Sequence, residues 1–470
     1  MEPGAKAFPR NARKALSDPA LQAALGRTTG RFLDHRAAAV AAFPEFEATR
    51  ERASAIKLEA LSRLDVHLSR FIEEAEKRGA VVHVAKGPVQ ARGIAAQIAR
   101  EEGVALAVKS KSMVSEEISF NAALAEAGLE VVESDLGEFI LQLAGEPPSH
   151  IIAPAVHKSR AEISELFSRR LGAPPTDSIP ELVAIARRHL REKFLSAGMG
   201  VSGANFLVAD TGSVVLVTNE GNGRMGTILP RVHLAVAGIE KVIPRMADLP
   251  AFLRLLPRSA SGQILSSYVS ILTGTRQAGD AEGPERMHIL LVDCGRSAIL
   301  EGKYREVLKC IRCGACLNSC PVYQSVGGHA YGWVYSGPIG AVLTPLLIGL
   351  SEAAPLPDAS TLCGACAEVC PVKIPLPDFL LELRADAREQ GLKTPGEIAG
   401  MKGYAGVMKR AGLLEAVERI AGVLVQFFTK GKPVEGLPHP FSGWTERRDF
   451  PAVAIRPFRK LWKARRGVRE

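Results

Sequence analysis

The chain has 470 residues, 47% of them hydrophobic and 23% charged, and its formal net charge at pH 7 is +9. These values exclude a disordered protein and predict two or three globular domains, and the charge permits an acidic partner, an anionic substrate or a membrane surface without selecting among them. The longest apolar stretch, Pro338–Leu350, is interrupted by Pro345 and is shorter than the ~20 residues that cross a bilayer. Because the first residues also lack the continuous apolar run of a secretory signal, we expect a cytoplasmic protein without a transmembrane segment.

Residues 1–75 are predicted to form an N-terminal helical segment. Within Phe46–Arg78, apolar residues such as Leu61, Leu64 and Leu68 recur among charged ones at nearly the period of a helix, without an intervening Gly or Pro. This pattern predicts one long amphipathic helix that lies on a neighbouring element.

Residues 76–300 alternate between strand-length apolar runs and helical stretches such as Pro88–Glu102. The apolar runs of the first half are Ala80–Ala85, Val104–Lys109, Leu129–Ser134 and His150–Pro154. Short buried strands joined by helices predict an α/β fold with a mostly parallel sheet covered on both faces. A further helix is predicted from Ser178, which has capping-box spacing to Glu181, to about Ser196.

The second half of this region adds two strands that a tight turn joins. The segments Ala204–Asp210 and Ser213–Asn219 flank Thr211 and Gly212, so they predict hairpin-like pairing. Three further apolar runs complete the predicted α/β domain, namely His233–Gly238, Lys241–Pro244 and His288–Cys294.

Residues 391–470 are predicted to form a helical C-terminal region with a basic tail. Its helical part is Glu397–Lys430, in which Leu413–Phe428 is apolar on one side. This apolar side indicates core or subunit packing or, alternatively, peripheral contact with a membrane. The tail Arg456–Arg469 contains seven Arg or Lys residues, and we expect it to dock on an acidic partner or cover the preceding module rather than to bind nucleic acid.

Seven of the eight cysteines fall between residues 301 and 390, in two groups of similar spacing. The groups are Cys310-x2-Cys313-x2-Cys316-x3-Cys320-Pro321 and Cys363-x2-Cys366-x3-Cys370-Pro371. Three thiolates at three-residue steps can bind three irons of a cubane, and the cysteine before the proline then reaches a second cluster. Zinc ribbons, the alternative, use two cysteine pairs separated by a longer loop. The spacing therefore predicts a mainly helical ferredoxin-type module with two [4Fe–4S] clusters.

Ligand exchange between the two groups assigns the metal ligands. The first cluster receives Cys310, Cys313, Cys316 and Cys370, and the second receives Cys320, Cys363 and Cys366. The second set lacks a fourth cysteine, since Ser360 stands three residues before Cys363. An oxygen or distant ligand, a three-iron cluster, or an iron open to substrate would each account for this difference. Cys294 and His329 are alternative donors, for which a buried thiol and a hydrogen-bonding loop residue are the simpler interpretations.

A candidate anion-binding crevice is predicted at Gly200–Gly226, where small residues precede one strand and a Gly/Asn-rich loop follows another. On that loop Glu220 and Arg224 are candidate catalytic residues, with Arg224 as the clamp for a carboxylate. A tight turn whose two side chains are merely solvated or paired is the alternative. The sequence contains neither the G-x-G-x-x-G dinucleotide fingerprint in the required context nor a Walker P-loop.

Four segments together resemble the lactate utilization protein B family. They are SGANFLVADTGSVVLVTNEGNGR, CIRCGACLNSCPVY, GGHAYGWVYSGPIGAVLTP and LCGACAEVCPVKIPL. The resemblance covers residues 40–470 and implies a LUD domain at 76–300, similar in fold to sugar isomerases and CoA transferases, before the two-cluster module at 301–390. It also implies that the missing eighth cysteine is a family property. The implied function is cytosolic conversion of L-lactate to pyruvate together with two partners, a CCG-motif cysteine-rich protein and a second LUD protein.

The resemblance and the cysteines together predict an electron-transfer subunit. Lactate oxidation releases two electrons, and two clusters that each accept one can hold both of them. Because nothing in the chain resembles a flavin site, we expect the isolated protein to show no lactate dehydrogenase turnover. The alternative is a LUD-type transferase or isomerase with structural clusters, since the loop TNEGNG resembles the Glu-bearing loops of CoA transferases.

Overall fold

The computed structural model describes residues 4–149, 153–430, 432–437, 442–445, 448–451 and 458–466. The chain divides into two units, Met1–Ala387 and Arg388–Glu470. The predicted strand His150–Pro154 lies mostly outside the described residues, as do parts of the basic tail.

In the described residues, four α-helices precede the first strand. They are α1 (Phe8–Leu16), α2 (Pro19–Ala41), α3 (Phe46–Ser62) and α4 (Leu64–Lys77). The prediction of one helix over Phe46–Arg78 is therefore wrong, because Arg63 leaves the helical conformation, with φ −132° and ψ 38°. The break allows α3 to pack on residues 305–309 while α4 packs on the first strand, Ala80–Ala85, whereas one straight helix could not follow both surfaces.

The α/β region alternates as the sequence predicts. In chain order it contains β1 (Ala80–Ala85), α5 (Pro88–Glu101), β2 (Leu106–Lys109), α6 (Met113–Glu117), α7 (Phe120–Glu126), β3 (Glu130–Glu133), α8 (Leu136–Ala144), α9 (Arg160–Leu171), α10 (Ile179–Ser196), β4 (Met199–Ser202), β5 (Phe206–Val208), β6 (Ser213–Thr218), α11 (Asn222–Ile228), β7 (Val232–Gly238), β8 (Val242–Ile243), α12 (Leu249–Ala260), β9 (Tyr268–Leu272) and β10 (Arg286–Val292). Strands β4 and β9 are additions that the apolar runs did not predict.

Two sheets share these strands. Six strands form a parallel sheet in the order β1-β10-β7-β4-β2-β3, which confirms the predicted mostly parallel α/β fold. The predicted hairpin pairs β5 with β6 antiparallel, but it belongs to a second sheet in the order β8-β5-β6-β9. Helices α5 and α7 cover one face of the parallel sheet through an apolar cluster around β7, and α4 with the second sheet covers the other.

The start of α10 differs from the prediction in its capping. The Ser178 side chain makes no cap hydrogen bond, so the predicted capping box with Glu181 is wrong. The Thr176 hydroxyl donates to the Glu181 carboxylate instead, at 2.5 Å, and accepts from the Ser178 backbone N–H. Thr176 therefore supplies the local hydrogen bonds that the spacing assigned to Ser178.

The cysteine-containing segment and the C-terminal region are helical. Their helices are α13 (Arg296–Glu301), α14 (Ala315–Asn318), α15 (Pro321–Val326), α16 (Gly337–Ile348), α17 (Leu350–Ala353), α18 (Ala365–Glu368), α19 (Leu376–Glu389), α20 (Pro395–Met408), α21 (Ala411–Thr429) and α22 (Phe458–Arg466). The apolar stretch at Pro338–Leu350 forms α16 and the start of α17. Among the described residues, no helix combines the length and the hydropathy needed to span a bilayer.

Candidate metal centre and adjoining crevice

The two cysteine groups fold as copies of each other. Arg312 and Leu362, at equivalent positions, both have the left-handed backbone conformation, with φ of 60° and 54°. Gly314 and Gly364 follow with φ of 76° and 86°, and each begins a short helix that leads to a Cys-Pro pair. These left-handed residues curl each loop, so that thiols three residues apart can face a common centre.

Ser360 occupies the place in the second loop that Cys310 occupies in the first. The N–H of Arg312 lies 3.4 Å from Cys310 Sγ, and the N–H of Leu362 lies 3.1 Å from Ser360 Oγ. The backbone N–H at this equivalent position therefore donates to a thiol in the first loop and to a hydroxyl in the second. The hydroxyl stands at the position from which the fourth ligand of a second cluster would come.

The four cysteines assigned to the first cluster line one small pocket. Cys310, Cys313, Cys316 and Cys370 share it with the apolar side chains of Ile311, Ile339, Val372, Ile374 and Leu376. Burial raises the pKa of the Cys316 thiol, and the charges of Cys313, Cys310 and Cys370 raise it further, so these sulfurs lie close together. The N–H of Ile374 donates to Cys370 Sγ at 3.4 Å.

The three cysteines assigned to the second cluster also lie together. Burial raises the pKa of Cys366 to about 12, with the charges of Cys320 and Cys363 acting in the same direction. Cys363 is exposed, and hydrogen bonds from Thr361 and from a backbone N–H lower its pKa. The buried Tyr331 hydroxyl, whose pKa is raised by burial and by the Cys320 charge, has no hydrogen-bond partner within the described part of the chain.

These surroundings fit iron–sulfur clusters. Buried thiols with raised pKa values are poor thiolates on their own, and bound metal ions supply the compensating positive charge. In the described ranges, no group of three His, Cys, Asp or Glu side chains could hold a single metal ion. This finding is compatible with a cubane, because each thiolate binds a different iron and the ligands need not converge on one point. Apolar walls, backbone N–H donors and the unpaired Tyr331 hydroxyl supply the environment that such a cluster requires.

The other proposed donors lie elsewhere. Cys294 packs against the apolar core after β10, and burial raises its pKa to about 12. His329 Nε2 is 2.8 Å from the carbonyl oxygen of Pro147, and its ring contacts His157 edge-on at 4.5 Å. These contacts are those of a partly buried thiol and of a hydrogen-bonding loop residue.

Arginine side chains surround the first cysteine set. Arg50 of α3 donates to the carbonyl oxygen of Cys370 at 2.7 Å and 3.0 Å, and Arg36 of α2 donates to that of Val369 at 3.3 Å. Arg312 lies 4.5 Å from the centre of the Tyr335 ring and 3.5 Å from Glu240. The N-terminal helices thus bring positive charge to a loop more than 300 residues away.

A buried ion network joins the first cysteine loop to the α/β region. Arg296 pairs with Glu240 at 2.6 Å and in a bidentate manner with Glu117 at 2.8 Å, and Tyr335 donates to Glu117 at 2.7 Å. Burial alone would raise the pKa of Glu240, but the nearby cations lower it to about 2. Gly238 leaves space for this pair, because a Cβ there would lie 2.0 Å from the Glu240 carboxylate.

Two buried lysines lie in the same network. Lys57 donates to the carbonyl oxygens of Glu240 and Val242, and burial lowers its pKa to about 7. Burial and the Arg312 charge lower the pKa of Lys241 to about 8. Lys241 is the last residue of the short helical turn Ile239–Lys241, which follows β7 at the carboxyl edge of the parallel sheet.

A crevice of about 290 Å³ opens at the carboxyl ends of β2, β3, β4 and β7. This is where parallel α/β sheets bind ligands, since the loops after the strands leave backbone and side-chain donors there. Its lining includes Lys111, Asp135 and Glu220 from the α/β region, and Arg312 and Cys313 from the first cysteine loop. The crevice therefore extends to a cysteine of the first set.

The structure places the two candidate catalytic residues differently. Glu220 lines the crevice, and partial burial and the Asp135 charge raise its pKa. Arg224 is exposed on α11 and does not line the crevice. The cations that do line it are Lys111, Lys241 and Arg312, which sequence reasoning missed. The available signal for Lys241 was its position just after the strand His233–Gly238.

Fold and site together define a LUD-type α/β protein joined to a two-site cysteine module of the iron–sulfur class. Residues 68–292 match the LUD domain, residues 306–374 the 4Fe-4S dicluster domain, and residues 384–467 the C-terminal domain of lactate utilisation protein B. Curated proteins named lactate utilization protein B are similar along the whole chain. The one from Shouchella clausii is 43% identical, and those from Bacillus thuringiensis and Bacillus cereus are 44% identical, each match covering 97% of both chains. The chain belongs to the lactate utilization protein B family.

Among solved structures, a DUF162 family protein from Deinococcus radiodurans matches 49% of this chain and 98% of its own. The identity is 15% and the TM-score is 0.28.

Proposed function

We propose that the protein is the iron–sulfur electron-transfer component of a cytoplasmic multi-protein system that oxidises L-lactate to pyruvate and so allows growth on lactate. The observation that carries this proposal is the apolar pocket lined by Cys310, Cys313, Cys316 and Cys370, four thiols drawn from both cysteine groups. Membership of the lactate utilization protein B family supports the substrate.

Two [4Fe–4S] clusters are proposed, which when bound each accept and release one electron. Cys310, Cys313, Cys316 and Cys370 hold the first, and Cys320, Cys363 and Cys366 hold the second, with Ser360 Oγ as its fourth ligand. The support for Ser360 is the hydrogen bond from the Leu362 N–H, which repeats the one that Cys310 receives from Arg312.

The protein's own residues set how the clusters behave. Ile339, Val372 and Leu376 exclude water from the first site, and the backbone N–H groups of Arg312 and Ile374 donate to its sulfurs. The N–H donors stabilise the more negative, reduced form, whereas the exclusion of water disfavours it, so the two effects oppose each other. The proposed electron donors and acceptors are a CCG-motif cysteine-rich protein and a second LUD protein.

Electron paramagnetic resonance of the anaerobically loaded protein, before and after dithionite, tests the proposal. Two reduced cubane signals that disappear on reoxidation are expected, together with no lactate turnover by the isolated chain. A loaded protein whose clusters never change redox state would contradict electron transfer. That result would favour a LUD-type transferase, with Glu220 on the crevice as its carboxylate.

A further inference from the structure

The crevice contains a buried guanidinium that lacks a full set of hydrogen-bond partners. Arg312 has a side chain that is only 9% exposed, and its Nη1 atom makes no hydrogen bond to any residue that the structure describes. Its Nη2 atom lies 3.5 Å from Glu240, too far for a strong hydrogen bond, and its plane lies against the Tyr335 ring. A buried donor without an acceptor is costly, so this geometry points to an absent anionic acceptor.

A second cation lies on the same crevice. Lys241 is buried and lines it, and Glu240, the carboxylate nearest to it in sequence, is already paired with Arg296 at 2.6 Å. The third crevice cation, Lys111, pairs with Glu138 at 3.4 Å, and among the described residues no other cation pairs with that carboxylate, whereas Arg312 shares Glu240 with Arg296. Arg312 and Lys241 are therefore the crevice cations that lack a close, dedicated carboxylate partner.

The remaining lining defines the size and chemistry of a ligand. About 290 Å³ is at the small end of ligand sites, which suits a few carbon atoms and one charged group. Asn205 also lines the crevice, and because its side-chain oxygen accepts from the Val217 N–H at 2.8 Å, its NH2 group is the part of the amide that can donate to a ligand. Asp135 and Glu220 on the same lining disfavour a second negative charge on the ligand.

We infer that this crevice binds a small monocarboxylate whose carboxylate group rests on Arg312 and Lys241, next to the first-cluster ligand Cys313. The choice of a 2-hydroxy or 2-oxo acid within that class rests on the proposed function. The arrangement places the organic acid beside the cluster with four cysteines and away from the one with three. It also assigns a role to the α/β region, which otherwise has none in electron transfer.

The test is calorimetric titration of the anaerobically loaded full-length protein with L-lactate, pyruvate and acetate. Lactamide, which keeps the shape of lactate but has no charge, is the ligand control. We expect saturable binding of the carboxylates and at least tenfold weaker binding of lactamide. Equal binding of lactamide, or no saturable binding of any carboxylate, would overturn the inference without the need for a variant.

Two lysine variants locate the site. Lys241→Met should weaken carboxylate binding at least tenfold, and Lys241→Arg should restore most of it. Lys57→Met is the matched control, since Lys57 is equally buried in the same network but does not line the crevice, and it should change affinity less than threefold. Iron content and the resonance spectrum verify loading in each variant, and equal losses in both Met variants would contradict a carboxylate site at Lys241.

Spectroscopy separates this inference from the proposed function. A bound carboxylate adds negative charge beside Cys313, so it should shift the resonance signal and lower the potential of the first cluster only. Clusters that cycle normally but bind no carboxylate would reject the crevice site and leave electron transfer intact. If the protein binds carboxylates but its clusters never accept an electron, the proposed electron transfer is contradicted and the inferred carboxylate site is retained.

Discussion

The two cysteine loops share one backbone conformation, but their surroundings differ. The first site, formed by Cys310, Cys313, Cys316 and Cys370, has an apolar pocket, and Arg36, Arg50 and Arg312 bring positive charge to it. The second site has three cysteines, Cys320, Cys363 and Cys366, of which Cys363 is exposed, and Arg384, which donates to the carbonyl oxygen of Ser360, is paired with Asp358 at 3.3 Å. A repeated local sequence thus produces two sites of different electrostatics.

For the two proposed clusters, this difference predicts that the residues packed around each site, rather than its cysteine spacing, set the reduction potential. Positive charge near a cluster favours the extra electron, so we expect the first cluster to have the higher potential. The second, more exposed cluster is then better suited to exchange electrons with a partner protein and is more easily lost to oxygen or chelators. Four changes test this comparison, in order of decreasing effect.

Replacing one cysteine in each site should give the largest effect. Cys316→Ser should lower iron from about eight to about four atoms per chain and also lower the melting temperature, because metal binding at a buried site contributes folding free energy. Cys363→Ser should also lower the iron content by about four atoms per chain. Its melting temperature should fall less than that of Cys316→Ser, because the Cys363 side chain is exposed. Iron analysis and thermal unfolding measure both, and equal melting temperatures would contradict the contrast in burial.

Ser360→Cys should make the ligand set of the second site the same as that of the first. A thiolate in place of the hydroxyl completes a four-cysteine set, so iron loss to a chelator under air should slow several-fold at that cluster. Ser360→Ala is the control and should accelerate the loss, because the Leu362 N–H then lacks its acceptor. Unchanged kinetics in both variants would show that Ser360 is not a ligand.

Arg50→Met should lower the potential of the first cluster by about 30–60 mV, since it removes a partly buried positive charge and two hydrogen bonds to the Cys370 carbonyl. Arg52→Met, on the exposed side of the same helix, is the matched control and should have little effect. Redox titration followed by resonance spectroscopy reports each cluster separately. If Arg50→Met changed the potential of the second cluster instead, the positive charge of Arg50 would belong to the second site and the expected order of potentials would be contradicted.

The smallest effect is expected for Arg224→Ala. The side chain is exposed on α11 and does not line the crevice, so carboxylate affinity should change less than twofold and neither potential should move. Calorimetry and redox titration measure the two quantities. A large loss of affinity would restore Arg224 as the carboxylate clamp that its position on the Gly/Asn-rich loop suggested.

The cysteine module and the parallel sheet show which features of the fold can be predicted from local sequence patterns. Spacing of Cys310, Cys313 and Cys316 is a local property, and the period of an apolar run is also local, so the ferredoxin-type module and the mostly parallel sheet were predictable. The break at Arg63 was not, because nothing in the adjacent sequence forbids a helix there and the surfaces that α3 and α4 cover are distant in the chain.

The amino-acid sequence by itself determined the iron–sulfur class of cofactor and the family, and it predicts how the two groups share their cysteines and that Ser360 stands where a fourth ligand would be. Only the tertiary structure decided which cations lie on the crevice. In the sequence Arg312 lies between two cysteines and Lys241 lies just after a strand, and only the fold brings both side chains to one cavity. The physical reason is that ligand spacing is set along the chain, whereas an electrostatic site sums charges through space.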